Sequence, residues 1–170
     1  MLSKNIEIAL NKQIRIEAES SQTYLSMACW AEIQGLEGVA NFMYAQSDEE
    51  RLHMLKLIKY VNERGGQSII TDLKAPKTAF GNFKEMFEEL YKHELFVSDS
   101  INELVHITFA EKDYATHNFL QWYVAEQIEE EAQAKNILDK ISLIGDDKGG
   151  LYLFDRDIQQ LSTVKSPIVK

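Results

Sequence analysis

Cysteine occurs once in the 170 residues, at Cys29, and proline only twice, at Pro76 and Pro167. A single thiol excludes an intramolecular disulfide framework and fits a reducing compartment, so the expected location is the cytoplasm. So little proline, with few glycines, leaves room for long uninterrupted helices. Apolar runs are short as well. None approaches the roughly 20 residues that cross a bilayer, and the opening stretch MLSKNIEIALNKQI has neither the apolar segment nor the cleavage site of a secretion signal. No membrane partner is expected. Positive charge is in deficit, with a net charge of -9. That argues against a nucleic-acid partner, which needs a basic face, and suits solubility or the attraction of cations.

What is present is helical periodicity. Four long segments carry apolar residues at three- and four-residue steps: about Asn5 to Gln34, Val39 to Arg64, Phe83 to Ala110 and Tyr114 to Ile144. Gly35, Gly38, Gly65, Gly66 and Gly145 stand at their ends as stop signals. LYLFDRDIQQL reads as a short fifth helix at about 150–161, and 162–170 as a flexible tail. Short first and third links make antiparallel hairpins, whereas QSIITDLKAPKTAFGN between the second and third helices is long, with some extended character. A helix of about 28 residues is about 42 Å long at 1.5 Å per residue, and an extended chain of about 16 residues covers a similar distance. The expected architecture is all-α: one domain over 1–170, a four-helix bundle with a long crossover and a short fifth helix.

Each core seam breaks near its middle. The first runs Ile6, Leu10, Gln13, Glu17, Ser20, Tyr24, Met27; the second Met43, Gln46, Glu50, His53, Leu57, Tyr60. The third runs Phe87, Leu90, Glu94, Val97, Ile101, Leu104; the fourth Leu120, Tyr123, Gln127, Glu130, Ala134, Ile137, Ile141. Counted outward from the links, Glu94 and Glu130 lie about 18 residues away on either side, and Glu17 matches Glu50 and His53 to within roughly two turns. The polar breaks therefore converge on one buried patch of Glu17, Glu50, His53, Glu94, Gln127 and Glu130.

An uncompensated buried carboxylate costs several kcal/mol. Four of them exceed the roughly 5–15 kcal/mol stability of a typical domain. No lysine or arginine stands on these seams. Either the carboxyls take up protons or cations sit among them. Four carboxylates with one imidazole suit a pair of divalent ions such as iron or manganese. Zinc prefers fewer ligands with more nitrogen or sulfur, and calcium does not suit a histidine.

The ordered set of Glu17 with Tyr24, EERLH around Glu50 and His53, HE at Glu94 and AEQIEEE around Gln127 and Glu130 resembles the non-haem bacterial ferritins over nearly the whole chain. Inward glutamates with a Glu-x-x-His step are a known mark of ferritin-like di-iron bundles. The resemblance implies a ferroxidase that oxidises Fe(II) with O2 or H2O2. Glu17, Glu50 and His53 would hold one iron, and Glu50, Glu94 and Glu130 the second, with Glu50 bridging. Gln127 would lie beside the pair. Glu49, Glu126, Glu129 and Glu130 would form a third iron site, and Tyr24 would hydrogen-bond near the centre. The family assembles as a hollow shell of 24 subunits with octahedral symmetry that stores ferric mineral. Bacterioferritins place a haem-ligating methionine where this sequence has Arg51, and a second Glu-x-x-His where it has Glu130, so no haem is expected.

Other residues read as ordinary. Cys29 is expected in the core or an interface, Trp122 in packing, and His93 and His106 at the surface or in packing. The competing function is a rubrerythrin-like di-iron peroxidase or oxygenase without storage, but no Cys-x-x-Cys pair for an electron-delivery module exists. A further competitor is a non-catalytic helical scaffold with protonated acids.

Overall fold

The computed structural model describes residues 1–163, so the expected tail lies for the most part outside the described residues. The helices are α1 (Lys4–Ile33), α2 (Glu37–Glu63), α3 (Phe83–Ala110), α4 (Tyr114–Ile144) and α5 (Lys148–Ile158), with a 3-10 turn over Gln159–Thr163. Among the described residues there is no strand. The third and fourth helices run as the periodicity predicts, and the others differ by a few residues at their ends.

Local chemistry sets the starts. Ser3 Oγ accepts from the Ile6 amide at 3.1 Å, Asn82 Oδ1 from Glu85 at 2.9 Å, and Asp113 Oδ1 from Thr116 at 3.1 Å. Asp147 accepts from the amides of Gly149 and Gly150. Each satisfies amides that a first helical turn leaves without partners. The start of α2 has no side-chain cap of its own. Asp155 of α5 supplies it from 116 residues away, its Oδ1 accepting from the Val39 amide at 2.9 Å.

That contact explains Gly38, which the sequence pattern reads as a stop signal but which lies inside the first turn of α2. A Cβ on Gly38 would stand 1.7 Å from the Asp155 carbonyl oxygen. The residue is glycine because α5 lies against its backbone. Gly35 is the stop: its φ of +75° is the left-handed conformation that ends α1.

The crossover is pinned along α1 rather than paired as a strand. Asn11 donates to the Gln67 carbonyl at 3.0 Å and accepts from the Ile69 amide at 2.7 Å. Glu19 accepts from the Lys74 amide at 3.2 Å, and Ser26 donates to the Lys77 carbonyl at 2.8 Å. Residues 67–77 thus travel beside 11–26, which returns the chain to the end of the bundle where α3 begins.

The apolar core comes in two clusters. One, holding Tyr24, Met27, Phe42, Met43, Phe87, Ile137 and Ile141, extends to Phe154 and Ile158 of α5. The other holds Ile6, Leu10, Leu57, Ile101, Leu104, Leu120 and Tyr123. The polar residues of the four seams belong to neither, and lie where one cluster gives way to the other.

Gly38→Ala should push α5 from its seat and cost roughly 1–3 kcal/mol as an overpacking defect. Asp155→Ala should cost about 1 kcal/mol through the lost cap. Thermal unfolding followed by circular dichroism should show both losses, with the helix content of the bundle kept at low temperature.

Candidate metal centre

Glu17, Glu50, His53 and Glu94 are each 1% exposed, Glu130 is 2% and Gln127 6%. The helical steps described above aim them inward from all four bundle helices. Glu17 Oε2 lies 3.8 Å and Glu50 Oε2 3.7 Å from His53 Nδ1. Glu17, Glu50 and His53 each offer one ligand atom, and these atoms lie within 4.8 Å of one another. Ligands about 2.1 Å from one ion stand about 3 Å apart at right angles and about 4.2 Å apart across it, so small side-chain shifts suffice to enclose a cation.

The hydrogen bonds around these groups are one-sided. Gln13 donates to Glu17 Oε1 at 2.8 Å, and Gln46 to Glu130 Oε2 at 3.1 Å. The Tyr24 hydroxyl donates to Glu94 Oε1 in a short contact. Gln127 Nε2 lies 3.3 Å from Glu94 Oε2, from the Glu94 carbonyl and from Ser98 Oγ. The Tyr123 hydroxyl donates to the His53 carbonyl at 2.8 Å, fixing the turn that carries the ring. Glu17 Oε2, Glu50 Oε2 and His53 Nε2 are left buried with no hydrogen-bond partner. Buried polar atoms are almost always satisfied. Two orphaned carboxyl oxygens, Glu17 Oε2 and Glu50 Oε2, that both stand within 3.8 Å of His53 Nδ1 fit a cation.

Electrostatics point the same way. Burial first, then the neighbouring Glu50, pushes the Glu17 carboxyl well above the usual range. Burial and then Glu94 do the same to Glu50. Burial and Glu130 raise Glu94 to about 7, against the lowering effect of the Tyr24 and Gln127 hydrogen bonds. Burial and Glu94 push the Tyr24 phenol up, so it stays a donor. Without a cation the pocket relieves its charge by holding protons.

The acids assigned to a third iron site are not all gathered. Glu49 and Glu126, both half-buried, form a second group with His53 whose ligand atoms also lie within 4.8 Å. Glu129 is exposed and belongs to neither group. Glu130 faces Gln46 in the inner pocket. Gln13, Gln46 and Tyr123 stand on the seams but received no role from the sequence pattern. The signal was there in Gln13 and Gln46, amides one turn before Glu17 and Glu50 on the same face.

Other residues sort plainly. Tyr24 is buried with its ring edge-on to His93 at 5.6 Å. His93 is half-buried, 2.8 Å from Ser20 Oγ, and burial lowers its pKa. Trp122 packs edge-on against His53 at 5.2 Å. His106 and Arg51 are exposed. Cys29 is exposed too, so of its two expected places, core or interface, the core is corrected: it lies on the outer side of α1, away from the apolar seam.

A family model described as a ferritin-like domain matches residues 7–144. A probable bacterial non-heme ferritin-like protein of Haemophilus influenzae is 47% identical over 163 residues, 96% of this chain and 99% of the relative. The bacterial non-heme ferritin of Campylobacter jejuni is 44% identical over 162 residues, covering 95% and 97%. A solved open-pore ferritin of Archaeoglobus fulgidus superposes with a TM-score of 0.92 at 43% identity, covering 94% of this chain and 98% of that one.

The raised carboxyl pKa values set the pH response. A carboxyl held near 7 in the fold, as for Glu94, and near 4.5 when unfolded keeps more protons folded than unfolded between those values. Its contribution to the stability of the metal-free protein is therefore fully present below about 4.5 and lost as pH rises through about 7. The loss is roughly 1.4 kcal/mol for each tenfold difference in proton affinity between the folded and unfolded chain. In chelator, the unfolding temperature should fall by several degrees, on the order of 2–8 °C, between pH 5 and pH 8. A divalent cation should reverse the loss at pH 8, where protons no longer compete.

Proposed function

The chain belongs to the ferritin family, and on that premise we propose that it oxidises Fe(II) to Fe(III) and stores the product as ferric mineral. The observation that carries this reading is the convergence of Glu17 Oε2 and Glu50 Oε2 on the His53 ring in a buried pocket where neither oxygen has a hydrogen-bond partner. The reaction uses an intrachain pair of Fe(II) ions as substrate. Glu17, Glu50 and His53 hold one, and Glu50, Glu94 and Glu130 the other, with Glu50 shared. Each Fe(II) gives one electron, and O2 with two protons becomes H2O2, or H2O2 with two protons becomes two waters. Delivering both electrons together avoids a free one-electron radical.

The chain's own residues shape this chemistry in three ways. Carboxylates favour the higher charge of Fe(III) and so favour oxidation. Tyr24 and Gln127 hold Glu94 from opposite oxygens, which fixes its orientation and leaves polar hydrogens at the edge of the pocket. The carboxyls that carry protons in the metal-free pocket release them as iron enters. Glu49 and Glu126, which meet at His53, form the start of a third iron site, which Glu129 and Glu130 join only if their side chains turn towards it. Exposed Glu129, with Glu49, also helps nucleate mineral on the cavity wall.

The active assembly is a shell of 24 copies with octahedral symmetry, acting in the cytoplasm without haem or nucleic acid. No helix of the described residues is long and apolar enough to cross a membrane. The rubrerythrin-like alternative is not favoured: the ferritin relatives match across nearly the whole chain. There is also no Cys-x-x-Cys pair for electron delivery.

Aerobic addition of Fe(II) should give a rapid rise in ferric absorbance. Glu50→Ala and His53→Ala should slow its initial rate by about tenfold or more, given that even outer partners of metal ligands cost about 10–100-fold. Glu49→Ala with Glu129→Ala should leave the first turnover near normal and slow bulk mineralisation. An unchanged rate in Glu50→Ala would remove the proposed centre. In light scattering the particle should have the mass of 24 chains of 19.6 kDa each.

A further inference from the structure

A second layer of side chains surrounds the inner pocket. Glu49, His53 and Lys56 follow one another on α2 at steps of four and three, and Trp122 and Glu126 stand one turn apart on α4. They share faces of their helices. The Lys56 ammonium sits 3.6 Å from the centroid of the Trp122 ring. The same indole touches the His53 ring at 5.2 Å and the Tyr123 ring at 4.8 Å, edge-on in both cases. Glu49, His53 and Glu126 bring one ligand atom each within 4.8 Å of one another. His53 is 1% exposed. Its Nδ1 is within 3.8 Å of the inner acids, so the ring stands between the inner pocket and this outer group.

We infer that Lys56 is a tethered counter-cation of the outer group Glu49, Glu126 and His53, seated on the indole of Trp122, and that an incoming metal ion must compete with it. The inference rests on the reading of the pocket as a cation site. A lysine ammonium is a compact charge on a flexible stem and makes no demand on ligand geometry. The indole face gives it a seat beside the acids. Lys56 is half-buried, and although desolvation weakens its hold on the proton, Glu126 acts in the opposite sense. A divalent ion brings twice the charge and takes lone pairs from several ligands at once, so it can displace the ammonium, which swings into solvent. The resident charge keeps the outer group from trapping metal. Ions there remain exchangeable with the inner pocket, to which His53 also belongs.

The test uses Tb(III), a redox-inert cation that binds carboxylates and luminesces when a nearby indole is excited. Trp122 is the indole at the outer group, and the only other tryptophan, Trp30, packs on Phe80 in the opposite cluster. Lys56→Met keeps the apolar stem on the indole and removes the charge. It should bind Tb(III) about three- to fivefold more tightly than wild type at low ionic strength, with the gap closing as salt is raised. Lys56→Arg should return towards wild type, and Glu126→Gln should abolish the difference between the lysine and methionine forms. Equal affinities in wild type and Lys56→Met, or a gap that survives Glu126→Gln, would overturn the assignment. Fe(II) oxidation by wild type is read separately, so loss of the ferroxidase reading and loss of this one cannot be confused.

Discussion

Carboxylates brought together in a dry interior, with only an imidazole set among them, are the constraint around which this molecule is arranged. Glu17, Glu50, Glu94 and Glu130 are almost fully enclosed. The lysine and arginine ion pairs found among the described residues lie outside their pocket. Left to itself, such a cluster opposes folding, and the upward shifts of Glu17, Glu50 and Glu94 express that opposition. Either protons or cations must enter. The same property makes the pocket useful, since an excess of enclosed negative charge draws cations in.

Everything else can be read as the means of holding that cluster still. The apolar clusters on either side fix the four helices, and so the level at which each acid stands. Amides and phenols from neighbouring turns then tie down chosen oxygens and leave others open. Gln13 restrains one oxygen of Glu17, Gln46 one of Glu130, and Tyr24 and Gln127 flank Glu94. This division orients Glu17 and Glu94 and leaves Glu17 Oε2 and Glu50 Oε2 without a hydrogen-bond partner, which is what a ligand needs. The restraint comes from hydrogen bonds that carry no net charge, so it does not neutralise the field that attracts the metal.

The remote parts of the chain contribute through register. The crossover is tied to α1 at Asn11, Glu19 and Ser26, which sets where α3 enters and hence where Glu94 arrives. At the far end, α5 caps α2 through Asp155 and closes the apolar cluster with Phe154 and Ile158. Gly38 shows how such a contact hides in sequence. A glycine between two helical patterns resembles a stop signal, and only the approach of Asp155 from a distant helix reveals its use.

The helices, the long crossover, and the level and face of every polar break were legible in the chain alone, because they follow from a fixed rise and a 3.6-residue period. That was enough to place Glu17, Glu50, His53, Glu94, Gln127 and Glu130 in one pocket and to suggest why cations belong there. Periodicity could not say which oxygen each amide holds, that Glu129 stands in solvent while Glu49 and Glu126 gather at His53, that Cys29 faces outward, or that Lys56 rests on Trp122. Those facts depend on rotamers and on the meeting of side chains from different helices. Such contacts are settled by packing across the bundle, not by any repeat within it.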